Sequence, residues 1–278
     1  MAQSALECAN AALVKIGQDK ITDLAGTDHV SVACNDRIDI CKRYLLRLHP
    51  WNFAVKRSNL EPTFFAISNA VNNGSGLIQI TSAAHGLSGT GNHVTIENVQ
   101  GVPANGTWEV TVINATTLDL VDSTFSGTYT AASDDRLTVA PNFDFAYQVA
   151  LPSDCLRVLR VNDTTYGFDW RVEGRKIITH DYPIELKYIY DVTDYTTMDI
   201  GFYETLATYL AWDIAYKITQ SSTLKAQLHQ ELWGQGGLLS KARFTDATED
   251  AIEKLEAEDW VYSRTAGSVH NYPGNWVN

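Results

Sequence analysis

The segment Thr107-Trp108-Glu109-Val110-Thr111-Val112 alternates polar and apolar side chains, and a period of two predicts a β-strand. It lies within residues 58–135, which contain no lysine or arginine, although an even spread of the chain's 21 basic residues would place about six there. Similar short alternating segments occur at residues 77–81, 94–96 and 118–120, and glycine-containing turns precede residues 77, 94 and 107. We therefore predict that residues 66–134 form an inserted all-β domain, a small barrel or sandwich.

The chain on both sides of this module has patterns of helices and of longer strands. Before it, Ser4 and Asp28 are suited to cap two helices with apolar residues at helical spacing, and Pro50 ends the second. After it, alternating segments predict antiparallel strands, two of which meet at the hairpin signal Glu173-Gly174-Arg175. Two helices follow, and glycines within residues 234–237 interrupt the second, which indicates either a bend or a close backbone approach.

These patterns predict the fold class α+β. Residues 1–65 and 135–250 are expected to form one discontinuous domain, a helical bundle with an antiparallel β region, with the all-β module set inside it. Residues 251–278 are expected to form an extended C-terminal arm, because they open with acidic side chains and then lose helical periodicity.

The predicted arm carries four aromatic side chains that are dense for a solvated tail: Trp260, Tyr262, Tyr272 and Trp276. Aromatic residues on such an arm can insert into a pocket of another molecule. The alternative is that the segment packs back on its own domain, since chain termini do either. The four aromatics are therefore candidate partner-binding residues.

Composition and charge narrow the classes of function. With 45% apolar and 19% charged residues among 278, the chain resembles an ordinary soluble globular protein. It lacks a secretory signal and any apolar run near the roughly 18–20 residues that cross a bilayer, so we expect no membrane partner and folding where it is made. The net charge of −12 argues against gripping nucleic acid through its phosphates, but not against a protein past which nucleic acid slides.

The chain offers little for metal or cofactor chemistry. Cys8, Cys34, Cys41 and Cys155 form no C-x-x-C pair, and we expect them to be buried as small apolar side chains. A zinc site would need further ligands at helical or turn spacing, and none is evident. No phosphate-binding loop or nucleophile motif occurs either. The sequence therefore predicts no metal, no cofactor and no catalytic residues.

One acidic cluster leaves an enzymatic alternative open. Asp191, Asp194, Asp199 and Glu204 lie between the last predicted strand and the following helix. Two of them could act as a glycosidase pair, which needs carboxyl groups about 5–9.5 Å apart. The simpler interpretation is a loop and a helix N-terminus, where carboxylates favour the positive end of the helix dipole. The alternative function is that of a cell-wall-degrading hydrolase.

Two residues of the module suggest a binding role. Trp108 could stack on a sugar ring, which gives a host-surface glycan-binding protein as a further alternative, although its place in an alternating strand predicts a core position. His85 could be a metal ligand or a general base, but no nucleophile or carboxylate lies near it in the sequence at a spacing typical of such a site. We expect it to be a turn histidine.

Three segments carry a resemblance to a known family: residues 186–194, residues 204–211, and the run that begins Ala242-Arg243-Phe244-Thr245-Asp246. Following two helices and a β region, they resemble in their order the head-to-tail adaptor proteins of tailed phages, also called tail tubular protein A or gateway protein. The likeness covers residues 4–62 and 135–250. The module resembles a small β domain that recurs in phage structural proteins. The residues that carry this likeness are Ile80-Thr81, His85-Gly86-Leu87, Val94-Thr95-Ile96, Asn105-Gly106-Thr107-Trp108-Glu109-Val110 and Leu118-Asp119-Leu120.

The resemblance implies a ring, dodecameric in the family, under the portal protein in the neck of the virion. Such a ring offers a platform to the tail or nozzle protein below it, and its C-terminal extension reaches the portal, which assigns Trp260, Tyr262, Tyr272 and Trp276 to portal binding. Viral DNA would pass through the lumen, and the −12 charge of each copy would repel its phosphates during ejection. The expected function is thus that of a structural protein and not an enzyme, made in the host cytoplasm.

Overall fold

A computed structural model describes residues 3–162 and 169–249 of the chain. Over these ranges the fold class is α+β, as predicted, with five α-helices and twelve β-strands. The helices are α1 (Ala5–Lys15), α2 (His29–Leu48), α3 (Ile200–Thr219), α4 (Ser222–Trp233) and α5 (Leu238–Glu249). The strands are β1 (Val55–Leu60), β2 (Phe64–Asn72), β3 (Ile78–Ser82), β4 (Asn92–Glu97), β5 (Gly106–Asn114), β6 (Thr117–Leu120), β7 (Arg136–Ala140), β8 (Tyr147–Ala150), β9 (Cys155–Val161), β10 (Trp170–Glu173), β11 (Lys176–Thr179) and β12 (Ile184–Tyr190).

The five helices form one unit, the helical body, with a core drawn from both ends of the described chain. Helix α3 lies at its centre and packs against the other four. Trp51 and Phe202 are fully buried in this core, and their rings meet edge to face at 4.9 Å. The indole nitrogen of Trp51 donates a hydrogen bond to the carbonyl of Leu45 at 3.0 Å, so burial leaves its polar atom satisfied.

The predicted N-caps of the first two helices are confirmed. The hydroxyl of Ser4 accepts a hydrogen bond from the backbone N–H of Glu7 at 3.1 Å, and the carboxylate of Asp28 accepts one from Ser31 at 3.0 Å. Each cap satisfies an N–H group that has no partner within its own helix. Local sequence therefore fixes where α1 and α2 begin.

Two three-stranded antiparallel sheets share an apolar core, and one of them also packs against the helical body. The central sheet has the order β1-β12-β9, and the outer sheet has the order β10-β11-β8. Residues of both sheets, including Val161, Ile177 and Tyr188, form a small apolar core. On the opposite face of the central sheet, Ile189 belongs to the core of the helical body. Because β1 precedes the module and β12 follows it, this sheet joins the two halves of the chain.

The predicted hairpin connects β10 and β11. Glu173 pairs with Lys176, and the two residues between them, Gly174 and Arg175, have φ angles of 51° and 63°. Two successive positive φ angles are typical of a type I′ turn, whose twist matches that of the paired strands. The hairpin prediction is confirmed.

The glycines after α4 produce both a break and a close approach. They separate α4 from α5, so two helices replace the single interrupted helix that the sequence predicts. A Cβ atom at Gly234 would lie 2.3 Å from the carbonyl oxygen of Gln230, and one at Gly237 would lie 2.5 Å from that of Leu232. Only a residue without a side chain fits at these two positions.

The module is a closed six-stranded barrel with the order β2-β3-β6-β5-β4-β7, which confirms the barrel alternative of the prediction. It has a hydrophobic core of its own, centred on residues such as Ile80, Val94 and Leu120. The barrel strands run from Phe64 to Ala140, whereas the predicted module covers residues 66–134. The difference arises because Arg136, which ends the cation-free stretch, lies on the last barrel strand.

The helices of the described ranges include none that is both long and apolar enough to cross a membrane. The predicted C-terminal arm, residues 251–278, lies outside the residues that the structure describes.

Candidate functional site

An aromatic patch lies where α2, α3 and α4 meet on the surface of the helical body. We define it by five side chains: Tyr44 of α2, Tyr209 and Trp212 of α3, and His229 and Trp233 of α4. Tyr44 is 46% exposed and Trp233 is 36% exposed. Tyr209 and Trp212 are half-buried beneath them. Large amphipathic rings thus reach solvent on a face made of three helices.

The rings of the aromatic patch contact one another in a continuous series. Tyr44 stacks on Tyr209 with ring centroids 5.4 Å apart, and Trp233 meets Trp212 edge to face at 5.2 Å. Trp233 also lies 5.5 Å from Tyr209 and 5.0 Å from His229. Aromatic pairs in such geometries contribute about 0.5–1.5 kcal/mol each beyond simple area burial. The patch is therefore ordered before any partner binds.

Charged groups border the aromatic patch. The ammonium of Lys225 lies 5.0 Å from the ring centroid of Trp212, within the range of a cation–π contact. The guanidinium of Arg37 donates two hydrogen bonds to the carboxylate of Asp213, which ties α2 to α3. Burial raises the pKa of Tyr209 to about 12, so its hydroxyl remains protonated at neutral pH.

This arrangement suits recognition of another protein surface. Tyrosine and tryptophan are enriched in protein interfaces, because they bury a large area for few rotatable bonds and keep a polar tip. A rigid cluster of such rings with charged groups at its rim has the anatomy of an interface core and its polar surround.

A second cluster connects the barrel to the outer sheet. The carboxylate of Glu97 in β4 accepts hydrogen bonds from the hydroxyls of Tyr147 and Tyr182 and from the guanidinium of Arg136. Arg136 also lies 4.0 Å from the ring centroid of Phe64. Since Tyr147 belongs to β8 and Tyr182 follows β11, Glu97 fixes the barrel against the sheet. We call these five residues the junction cluster.

The protonation states of the junction cluster follow from its contacts. Burial raises the pKa of Glu97, but hydrogen bonds from Tyr147, Tyr182 and Arg136 outweigh it, and the net pKa lies below the ordinary glutamate value. Burial and the neighbouring carboxylate raise the pKa of both tyrosines. At neutral pH the carboxylate is therefore charged, and both hydroxyls keep the protons that they donate.

The residues of the predicted acidic cluster have separate structural partners. Asp191 forms ion pairs with Lys42 at 3.2 Å and Arg43 at 2.7 Å, and the side chain of Lys42 is only 4% exposed. Asp199 is the N-cap of α3 and accepts a hydrogen bond from the backbone N–H of Gly201 at 2.7 Å. These two carboxylates follow the simpler interpretation of a loop and a helix start.

The other two acidic residues are also occupied. Asp194 caps a short 3₁₀ turn by accepting hydrogen bonds from the backbone N–H and the hydroxyl of Thr196 at 2.9 and 2.6 Å. Glu204 forms an ion pair with Lys15 at 2.7 Å. Because capping and ion pairing account for all four carboxylates, their contacts favour a structural role over the hydrolase hypothesis.

Trp108 and His85 lie in the barrel. Trp108 is half-buried against the barrel core, and its indole nitrogen donates to the carbonyl of Ala104 at 2.8 Å. These contacts favour the core position over a role in sugar stacking. His85 is 3% exposed, burial lowers its pKa, and its Nδ1 accepts from the backbone N–H of Leu87 at 3.1 Å. His85 therefore has a contact within its own turn, as expected.

The four cysteines are buried free thiols, as predicted. Burial raises the pKa of Cys34 to about 11 and that of Cys41 to about 12, and it also raises the pKa of Cys8 and Cys155. Such thiols are protonated and poorly nucleophilic at neutral pH. Within residues 3–162 and 169–249, no three His, Cys, Asp or Glu side chains are grouped to hold a metal ion.

The predicted portal-binding aromatics, Trp260, Tyr262, Tyr272 and Trp276, lie outside the described residues. The aromatic patch consists of other residues, which sequence reasoning did not single out. Its rings come from three helices, and Tyr209 and Trp212 also satisfy the helical apolar spacing of an ordinary core face. The exposure of Tyr44, His229 and Trp233 is visible only in the tertiary structure, so no signal in the sequence marked the patch.

Asp246 is a further residue that sequence reasoning missed. Its side chain is 4% exposed, and its carboxylate contacts Nε2 of His49 at 2.9 Å and the backbone N–H of Asn52 at 2.9 Å. The side-chain amide of Asn52 donates to the backbone carbonyl of Asp246 at 2.7 Å. These bonds hold the C-terminal half of α5 against the connection between α2 and β1.

Comparison with known proteins adds no identification. No protein-family model matches the chain, and a search of curated proteins finds no significant match.

Proposed function

We propose that this protein is a structural head-to-tail adaptor of a tailed phage, present in the neck of the virion. Copies of the chain would assemble side by side into a ring, dodecameric in the resembling family, beneath the portal protein. The ring would extend the DNA channel and offer an attachment surface to the tail or nozzle protein. The C-terminal arm, residues 251–278, would contact the portal through Trp260, Tyr262, Tyr272 and Trp276.

The aromatic patch is the observation that carries this proposal. It presents Tyr and Trp rings on the surface of the helical body. In the family that the chain resembles, the helical part of each copy forms the ring. A side-by-side contact through the patch would bury these rings between neighbouring copies and give the interface an aromatic core.

The net charge of −12 supports the channel role. A ring of twelve such chains would carry a strongly negative field, which repels the phosphates of passing DNA. A wall that does not bind the genome allows it to slide during ejection. The proposal assigns no reaction to the protein.

Electron microscopy of the protein mixed with its portal tests the proposal. We expect a ring of copies seated under the portal, with the helical bodies in mutual contact. A protein that stays monomeric and leaves the portal bare, or a virion neck that is complete without this chain, would contradict it.

A double variant tests the role of the aromatic patch in that assembly. Tyr44→Ala with Trp233→Ala removes two exposed rings, and we expect a folded protein that no longer forms rings. Phe143→Ala is the matched control, since Phe143 is 77% exposed and lies outside the helical body. If the double variant still assembles into normal rings of copies, the aromatic patch is not part of the interface between them. Whether the original protein forms a ring is tested separately, by the electron microscopy described above.

A further inference from the structure

Three cations form a row across the central sheet. Arg57 of β1 pairs directly with Lys187 of β12, and Lys187 pairs directly with Arg160 of β9. Directly paired residues of antiparallel strands point to the same face of a sheet. Because neighbouring strands lie about 4.8 Å apart, the row spans roughly 10 Å. We call Arg57, Lys187 and Arg160 the cation row.

The cation row is unusual on two counts. Like charges placed directly opposite each other destabilise a sheet, and this chain has 33 acidic residues against 21 basic ones. Yet no carboxylate of the described ranges lies within 4.0 Å of the charged atoms of these three residues. We expect a negatively charged ligand to offset the repulsion between these three cations.

The row lies on the uncovered half of its sheet face. Further along the same face, Ile189 is buried in the core of the helical body, whereas Arg57 and Arg160 are exposed and Lys187 is half-buried. The neighbouring positions on this face are polar, with Asn59 paired to the exposed Glu185. Glu185 is the one acidic residue within this part of the sheet, so the cations outnumber it.

The last described residues of the chain lead directly to the cation row. Asp246 ties the end of α5 to Asn52 through two hydrogen bonds of 2.9 and 2.7 Å, and Asn52 lies three residues before β1. Glu249, at the end of α5, lines the same surface groove as Arg57 and Lys187. The chain therefore leaves the described fold beside the row.

The residues that follow Glu249 have the complementary charge. Residues 250–259 contain Asp250, Glu253, Glu256, Glu258 and Asp259 against a single lysine, Lys254. We propose that the cation row binds this acidic segment of the same chain. The contact would neutralise both charge clusters and fix the point from which the aromatic residues beyond 259 depart. It is independent of ring formation, so it goes beyond the function proposed above.

An acidic segment of the same chain is favoured over a nucleic-acid backbone by its position. The tether between Glu249 and the first of the five acids is a single peptide bond, which gives the carboxylates a high effective concentration near Lys187. A duplex would approach a chain of net charge −12 against long-range repulsion. Both effects favour the acidic segment of the same chain as the ligand of the cation row.

Zero-length cross-linking of the full-length protein tests this contact. A carbodiimide joins a lysine amine to a carboxylate only when the two are in direct contact, and mass spectrometry identifies the linked peptides. We expect Lys187 to be linked to one or more acids of residues 250–259. The ion pair between Lys56 and Asp154 at 2.7 Å is the internal positive control.

Isotope labelling shows whether the acidic segment that contacts Lys187 belongs to the same chain or to a neighbouring copy. In a mixture of ¹⁴N and ¹⁵N chains, an intramolecular contact gives linked peptides that share one label. Peptide pairs of mixed label would show that a neighbouring copy supplies the acids, which would overturn the assignment to the same chain. Absence of any link from Lys187 to residues 250–259, with the Lys56 control present, would overturn the proposal entirely.

Charge reversal tests whether the contact is electrostatic. Arg57→Glu with Arg160→Glu is expected to reduce the yield of the Lys187 cross-link by at least about fivefold, since each reversal adds a repulsive carboxylate. Arg171→Glu on the outer sheet is the matched control and should leave the yield unchanged. An unchanged yield in the double variant would contradict electrostatic binding. Protection of Lys187 from acetylation by added duplex DNA, in place of the cross-link, would reassign the row to nucleic acid.

Discussion

The barrel and the helical body differ in which parts of the chain supply their buried apolar residues. All buried residues of the barrel core lie between Ile67 and Leu137, in one continuous stretch. The core of the helical body combines residues from Cys8 to Ala54 with residues from Ile189 to Ala242. Its two halves meet only after the barrel and both sheets have been passed along the chain.

This difference indicates how far each unit can fold without the other. The barrel can form its core from contacts within its own stretch, whereas the body must close a long loop first, and loop closure costs conformational entropy. Because that cost grows slowly with loop length, the body should tolerate an unfolded barrel. We therefore expect two separately measurable stabilities, joined by the junction cluster.

The largest effect is expected from Trp51→Ala. Removing this fully buried indole should cost the helical body about 3–5 kcal/mol, because a cavity forms next to Phe202 and the surrounding helices collapse only in part. Hydrogen exchange of body peptides should rise accordingly, while barrel peptides keep their protection. Phe244→Ala, at a 71% exposed position of α5, is the control and should cost much less. Equal loss of protection in the barrel would show that the two units unfold together.

A cavity in the barrel should have the reverse pattern. Ile80 is fully buried, and Ile80→Ala is expected to lower the stability of the barrel by about 2–5 kcal/mol. Protection of the helical body should be unchanged in the same hydrogen-exchange measurement. Ile113→Ala, at a position 53% exposed, should stay within about 0.5 kcal/mol of the original protein.

Glu97→Gln tests the link between the two regions. At neutral pH we expect a loss of about 1–3 kcal/mol, because the charged acceptor of three hydrogen bonds is replaced by a neutral amide. The folded-state pKa of Glu97 is lowered, so its contribution is present above the ordinary glutamate pKa and is lost as pH falls through the lowered value.

The difference in unfolding free energy between the Glu97→Gln variant and the original protein should therefore shrink as the solution becomes acidic. Denaturant titrations at several pH values measure it. Glu109→Gln, at an exposed position on β5, is the control for the exchange itself and should change the stability at neutral pH by no more than about 0.5 kcal/mol. A constant difference at all pH values would mean that the charge of Glu97 does not support the junction.

The smallest effect, of opposite sign, is expected from Gln220→Gly. Gln220 ends α3 with φ of 56°, a left-handed conformation in which glycine avoids the strain of a side chain. We expect the helical body to gain up to about 1 kcal/mol, with the barrel unaffected. Gln227→Gly, inside α4, is the same exchange in a helix interior and should lose about 1 kcal/mol. A loss at Gln220 as well would argue against strain at this C-cap.

Much of the local structure could be predicted because its signals are local. Ser4 and Asp28 mark helix starts through a side chain and an N–H group three residues apart. The Gly174-Arg175 turn and the alternating strands of the barrel likewise depend on near neighbours. The predicted module ends at residue 134, before β7, because the stretch without lysine or arginine ends at Arg136. The sequence does not show that Arg136 forms an ion pair with Glu97, which is distant along the chain.

The candidate sites were harder to predict than the elements that carry them. The aromatic patch combines Tyr44 with residues more than 160 positions away along the chain, and each ring alone fits an ordinary helix face. The cation row likewise depends on the register of three strands, which the sequence of any one strand does not reveal. Asp246 looks like a surface residue of a short helix until α5 packs on the connection after α2.

By itself the sequence determined the α+β class, the all-β nature of the module and the chain positions of the caps and turns, because periodicity and turn chemistry act over a few residues. The tertiary structure alone decided which side chains of distant segments meet: the aromatic patch, the junction cluster and the cation row. Their formation depends on strand register and helix packing, which are set by burial of the whole core and are not encoded in any single segment.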